Sequence, residues 1–204
     1  MKFWIIAIKD TKVKNQYRNK IFLILLFFLV AGCSDKPSIK NGAKSFNLNG
    51  KEWKSLSVIN EIGGISYKSS LVPIEYYLLK YAPKDSIKIL SDKMSKERVI
   101  EFEFQQDDKK DILSKEFTKR DYKSSVEYLS FKIRNDYKLV VNNKDTIKCS
   151  GVLFERNYKV APFKRILLYF NGVEPDSRIK LIYYDNLFHN GILKFNFSER
   201  PIKL

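Results

Sequence analysis

The sequence predicts an α+β domain, mainly antiparallel β-sheet with one or two short helices. Three observations carry this. Asn49-Gly50 stands between apolar residues as a two-residue hairpin signal, because both central positions of a type I′ turn need positive φ. "VIEFEFQ" at 99–105 alternates apolar and polar residues. From 137 to 197, short apolar stretches separated by turn residues follow one another as in a β-meander. The composition agrees. A length of 204 residues favours one domain, 44% hydrophobic residues suffice for a core, and 30% charged residues interleaved with apolar periodicity exclude a disordered chain.

Phe46 and Leu48 before the first hairpin, and Trp53 after it, supply one apolar face. "INEIGGISYKSS" reads as a turn at Gly63-Gly64 followed by irregular chain. "IEYYLLKY" at 74–81 reads as a strand, from its length, its aromatic content and the bracketing Pro73 and Pro83. In 99–105, Ile100, Phe102 and Phe104 face the core, and Glu101 and Glu103 form the solvent face. "QQDDKKD" is a polar turn and "DILSKEFTKR" a short helix. A second helix spans about 125–133; Ser124 and Glu127 fit a capping box, and Tyr122, Val126, Leu129 and Ile133 share a face. "YKLVV" then meets "TIKCSGVLFE" across "NNKD", "RILLYF" is apolar on both faces like a central strand, and "IKLIYY" and "GILKFNF" turn at Asn190-Gly191. Cys149 is in phase with Ile147 and is expected in the core as a small hydrophobe.

The beginning of the chain has a different character. Ile21 to Ala31 is continuously apolar, too short for a membrane-spanning helix, which needs roughly 20 residues, and right for a signal-peptide core of about 7–15. Lys12, Lys14, Arg18 and Lys20 precede it. Val30-Ala31-Gly32-Cys33 resembles the lipobox of bacterial lipoproteins. That resemblance covers roughly the first 35 residues. It implies signal peptidase recognition through Val30, Ala31 and Gly32, cleavage before Cys33, a diacylglycerol on the Cys33 thiol and an acylated (typically palmitate-bearing) amino terminus. Ser34, where an aspartate would resemble an inner-membrane retention signal, implies the outer membrane rather than the inner one. The leader departs from the pattern in its length and in a second apolar patch at Phe3–Ile8. "FERNYKVAPFKRILLYF" and "LIYYDNLFHNGILKF" resemble stretches of uncharacterised Bacteroidota lipoproteins, a likeness that brings no activity with it.

The expected organisation is therefore a signal peptide at 1–32, a lipidated N-terminus and tether at 33–44, and one globular domain at 45–204. The tether "SDKPSIKNGAKS" is polar and aperiodic. Of the net charge of +15, the leader's six basic residues against Asp10 contribute +5, leaving +10 spread without a basic block. Such dispersed charge reads as solvated surface and gives no nucleic-acid arm.

Little in the domain points to catalysis. His189 is the one histidine, in a turn-like stretch without G-x-S-x-G, so no catalytic residue is assigned. With one histidine and one unmodified cysteine, no metal ligands and no cofactor-binding residues are assigned either. Ser177-Arg178-Ile179-Lys180 matches the S-x-x-K spacing but enters a strand, not a helix. The 12 tyrosines and 15 phenylalanines suit sheet and core positions better than a carbohydrate platform. The expected protein is a lipid-anchored envelope module that binds or assembles with an envelope partner. The alternatives are an envelope hydrolase using two carboxylates and an immunity-type lipoprotein that neutralises a toxin.

Overall fold

The computed structural model describes residues 38–106, 110–156 and 162–204, within the unit Pro37–Leu204. The expected signal peptide, Val30, Ala31, Gly32 and the lipid-attachment residue Cys33 lie outside the described residues, as does the middle of the "QQDDKKD" turn. The fold is α+β and mainly antiparallel sheet. The strands are β1 (Ser38–Leu48), β2 (Lys51–Ile62), β3 (Ile65–Val72), β4 (Arg98–Gln106), β5 (Tyr137–Val141), β6 (Asp145–Lys148), β7 (Gly151–Glu155), β8 (Phe163–Phe170), β9 (Ile179–Asp185), β10 (Gly191–Phe197) and β11 (Ile202–Lys203). Among the described residues, four short α-helices are α1 (Ile74–Tyr81), α2 (Ile87–Lys93), α3 (Lys115–Thr118) and α4 (Tyr122–Glu127). One sheet runs β1-β2-β3-β4-β8-β7 with β11 added on β2, and the other runs β10-β9-β5-β6.

Local turn chemistry sets the hairpins. Asn49 and Gly50 have φ of 51° and 75°, the left-handed pair a type I′ turn needs, and β1 pairs β2 from Leu48↔Lys51 to Ser38↔Glu61. β1 thus begins at Ser38, inside the stretch 33–44 expected as a tether. As an edge strand largely open to solvent it needs no apolar alternation, and this is why its polar sequence concealed it. Gly63 and Gly64, with φ of 59° and 72°, make a second hairpin, so the chain after them is strand β3 and not irregular. Serines at 66, 69 and 70 had diluted its alternation.

Residues 74–81 form helix α1, not the expected strand. Ile74, Tyr77, Leu78 and Tyr81 follow the i, i+3, i+4, i+7 spacing of one helical face, with Glu75 in the first turn and Lys80 in the last. Pro73 caps the start and ends β3. The helix expected near 125–133 starts earlier. Asp121, not Ser124, is its cap: the Ser124 N–H donates to Asp121 Oδ1 at 2.8 Å. It then widens into a π turn at Tyr128–Lys132 and tightens into a 3₁₀ turn at Ile133–Asp136. "TIKCSGVLFE" is not one strand, because the chain crosses between sheets at Cys149-Ser150, with β6 in the small sheet and β7 in the large one. Cys149 sits at that crossing, half-buried against the core, its thiol donating to the Gly151 carbonyl at 3.0 Å.

The main core lies between the sheets. Phe102 of β4 meets Tyr137, Tyr183 and Phe195 of the small sheet at ring separations of 5.2, 5.4 and 5.1 Å. A second apolar cluster lies on the other face of the large sheet, where Phe46, Trp53, Val72, Val99 and Leu167 pack under Ile74, Tyr76 and Tyr77 of α1. β4 is therefore buried on both faces.

The β2–β3 turn supports a prediction. A Cβ on Gly63 would stand 2.4 Å from Asn190 Oδ1. That amide cannot swing away freely, since its Nδ2 donates to Tyr67 Oη at 2.7 Å. Gly63→Ala is expected to cost about 1–3 kcal/mol from positive φ and the clash together. Gly64→Ala meets nothing within 4 Å and carries only the φ penalty, so it should cost less. Urea unfolding of the two variants checks the difference.

Candidate functional site

The strand registers define two ends of the domain. Ser38↔Glu61, Ile65↔Gln106 and Gly191↔Asp185 lie at the end where the described chain begins. Leu48↔Lys51, Val72↔Val99 and Ile179↔Phe197 lie at the other, about 33 Å away along β1 but only about 20–23 Å along β3 and β9, at the strand rise of roughly 3.3 Å per residue.

A cleft of about 530 Å³ opens at this far end. Trp53, Leu71, Val72 and Phe197 form its apolar floor, and Pro73, Pro175 and Pro201 stiffen its walls. Its charged residues are Arg98, Arg178, Arg200, Lys203, Glu75, Asp176 and Glu199. The last residues of the chain form one side, as β11 pairs Ile202 with Lys54 and Lys203 with Trp53. Two of the acids are already engaged: Asp176 by Arg200, and Glu75 by Lys203 at 2.9 Å and Lys51 at 3.1 Å. The Lys203 hydrogen bond holds the Glu75 carboxyl below its ordinary range. Arg98 has no carboxylate contact among the described residues. Its guanidinium donates to the carbonyls of Glu97 at 2.6 Å and Glu174 at 2.8 Å. Burial, and then the charge of Arg200, push its pKa down. Trp53 is only 3% exposed, lying edge-on to Tyr76, so its ring face offers no open platform for a sugar.

A second polar centre lies on the outer face of the large sheet. Glu101 and Glu103, expected at a solvent face, are 7% and 8% exposed. Lys44 of β1 pairs with both, at 3.2 Å from Glu103 Oε1. Ser57 and Ser70 stand on the strands between β1 and Glu101, and their small side chains let the lysine cross. Arg165 of β8 donates from Nε and Nη2 to Glu103 at 3.0 and 2.7 Å and from Nη1 to Glu155 at 3.2 Å. Burial pushes the Glu101 carboxyl above its ordinary range despite Lys44. Burial also opposes charge on Glu103, but Lys44 and Arg165 outweigh it and hold that carboxyl low.

A third centre fastens the β9–β10 loop. Asp185 Oδ1 accepts from the Tyr183 hydroxyl at 2.8 Å and from the N–H groups of Leu187 and Phe188 at 3.1 and 2.9 Å. Oδ2 accepts from the Tyr67 hydroxyl at 2.6 Å and the Asn190 N–H at 3.1 Å. This carboxylate is filled by the fold and has the character of a structural keystone.

Of the residues weighed from sequence, His189 sits in that loop with φ of 65°, its N–H donating to the Asp185 carbonyl. Ser177 and Lys180 do not meet: the lysine ammonium donates to Asn143 at 3.4 Å, while the Ser177 hydroxyl accepts from Asn142 at 3.5 Å. Among the described residues no group of three His, Cys, Asp or Glu is arranged to hold a metal. Sequence reasoning missed the cleft. Its walls come from residues near 53, 72–75, 98, 175–179 and 197–203, and no local pattern joins them.

No protein-family model matches the chain, and no curated protein sequence does. A crystal structure of a novel protein of unknown function from Burkholderia pseudomallei is similar over 68% of this chain and 76% of that one, at 12% identity and a TM-score of 0.33. A likeness at that level bears on neither fold nor function.

Proposed function

We propose that this chain is a lipid-anchored protein of the cell envelope, held in the outer membrane through Cys33, that acts as a binding module. The observation that supports it best is the position of the cleft. It lies at the end of the domain opposite Ser38, the first described residue, which is only five residues past Cys33. A tether at one end and a concave, partly apolar site near the other present the site, at the level of the Phe46↔Trp53 pair, about 26 Å along β1 from the anchored end, clear of the lipid headgroups. The order of basic flank, short apolar core, Val30-Ala31-Gly32 and Cys33 supports the anchor itself. A hydrolase reading has Glu101 and Glu103 in its favour, two adjacent carboxyls pushed in opposite directions. Lys44 and Arg165 occupy both, however, and neither lines the cleft.

Cys33→Ala is expected to move the protein out of the membrane-anchored pool, leaving an uncleaved precursor that takes up no labelled palmitate. Palmitate labelling and gel mobility read this directly. Undiminished labelling of the variant would contradict the anchor.

A further inference from the structure

We propose that the cleft takes a small ligand joining an oxyanion head, a carboxylate or a phosphate, to an apolar body; the proposal rests on the binding reading above and names its ligand class. The apolar half of the argument is the floor. Leu71, Val72 and Phe197 are buried side chains at the base of a concavity whose volume of about 530 Å³ suits a small molecule. The anionic half is a count of charges already spent. Arg200 is engaged with Asp176, and Lys203 with Glu75. Arg98 and Arg178 remain, and among the described residues neither has an ion-pair partner. Against them stands Glu199 alone, exposed to solvent. One further negative charge balances the lining.

Guanidinium chemistry selects the head. Arg98 is half-buried and fixed by backbone carbonyls, so its orientation is set before a ligand arrives. The charge of Arg200 opposes that of Arg98, Glu174 and Asp176 offset it in part, and an anion held by the Arg98 guanidinium adds to that offset. Arg178 is an exposed lining residue of the cleft, its backbone N–H donating to Asn142 Oδ1 at 3.0 Å. A neutral apolar molecule would leave this positive potential unanswered, and an inorganic anion would leave the floor uncovered.

Trp53 reports on the site. The chain has two tryptophans, Trp4 and Trp53, so in a Trp4→Phe background Trp53 is the sole indole. The full chain in phosphatidylcholine vesicles is titrated with hexanoate, hexyl phosphate and hexanol while Trp53 emission is followed. The two anions are expected to shift the emission saturably, with hexanol needing a concentration at least about tenfold higher. Whichever anion saturates first tells a carboxylate head from a phosphate head. Arg178→Glu should weaken the anions at least about tenfold with an unchanged melting temperature, and Arg178→Lys should keep most of the affinity. Hexanol matching hexanoate, or Arg178→Glu binding like the parent, overturns the oxyanion assignment and leaves the cleft as a binding site. No saturable shift with any of the three overturns that assignment and the cleft reading together.

Discussion

Asp185→Ala is expected to be the most damaging single substitution in the domain. It strips an acceptor from five donors at once. The Asn190 amide is half-buried and can rearrange toward water; the Leu187 and Phe188 amides can do so only if their buried side chains leave the core. The hydroxyls of Tyr67 and Tyr183 cannot, since both residues are 0% exposed. An unsatisfied buried donor costs about 1–3 kcal/mol, so the two phenols and a loosened loop together come to about 4–6 kcal/mol. That is a large share of the roughly 5–15 kcal/mol available to a domain of this kind. Burial, the largest of the causes that push the Tyr67 phenol far above its ordinary range, persists in the variant, so ionisation offers it no escape. Asp185→Asn keeps one acceptor but sets an amide N–H₂ among donors, and should fall between alanine and the parent. Tyr67→Phe removes one donor and leaves the other four, for about 1 kcal/mol. Denaturant midpoints for the three variants check the order; an alanine variant within 1 kcal/mol of the parent, well under the range above, would contradict the keystone role.

The second large effect is at Arg165. Arg165→Met leaves the buried Glu101 and Glu103 with only lysines to answer them, and the more open Glu155 with Lys80 and the Tyr81 hydroxyl. Removing one partner from a fully buried pair costs about 3–5 kcal/mol; the partial exposure of Arg165 reduces this to about 2–4 kcal/mol at neutral pH. The pH dependence gives the effect a signature. Glu103 is held below its ordinary value of 4.5, so its pairing stabilises the domain above that pH and is lost as pH falls through the folded-state value. Glu101 runs the other way. Its raised carboxyl costs stability once ionised and is relieved on protonation. The variant loses Arg165's share of the Glu103 contribution and keeps that of Lys44. The gap between parent and variant should therefore be widest near neutrality and narrow as pH falls below 4.5. A gap that stays constant with pH would place the arginine's contribution in packing and not in charge.

What could be read in the sequence was local, and what was missed depended on distance. The hairpin at Asn49-Gly50 was legible because turn geometry follows from the turn's own residues; the β9–β10 reversal was read at Asn190-Gly191, but its loop runs over 186–190 and Gly191 opens β10 opposite Asp185. The alternation of Ile100, Phe102 and Phe104 was legible for the same reason. The burial of Glu101 and Glu103 was not, because their cations arrive from Lys44, 57 and 59 residues earlier, and Arg165, 62 residues beyond Glu103. Residues 74–81 carried signals for both strand and helix. Aromatic content favoured strand, while the i, i+3, i+4, i+7 spacing of Ile74, Tyr77, Leu78 and Tyr81 favoured helix, and packing of Ile74, Tyr76, Tyr77 and Leu79 on the outer sheet cluster decided for helix. The strand start at Ser38 was hidden because an edge strand takes its order from its neighbour.

The two ends of the molecule are joined by β1. Lys44 of that strand is clamped to the sheet centre by Glu101 and Glu103, so the strand nearest Cys33 in sequence is also fastened to the middle of the fold. An inward-pointing lysine on an exposed edge discourages pairing with another chain as well.

The mass of the N-terminal peptide of the protein purified from membranes tests the account most directly. The account predicts a peptide beginning at Cys33 and carrying a diacylglyceryl thioether and an amide-linked acyl chain. A peptide that begins upstream of Cys33, or one with a free Cys33 thiol, would contradict it.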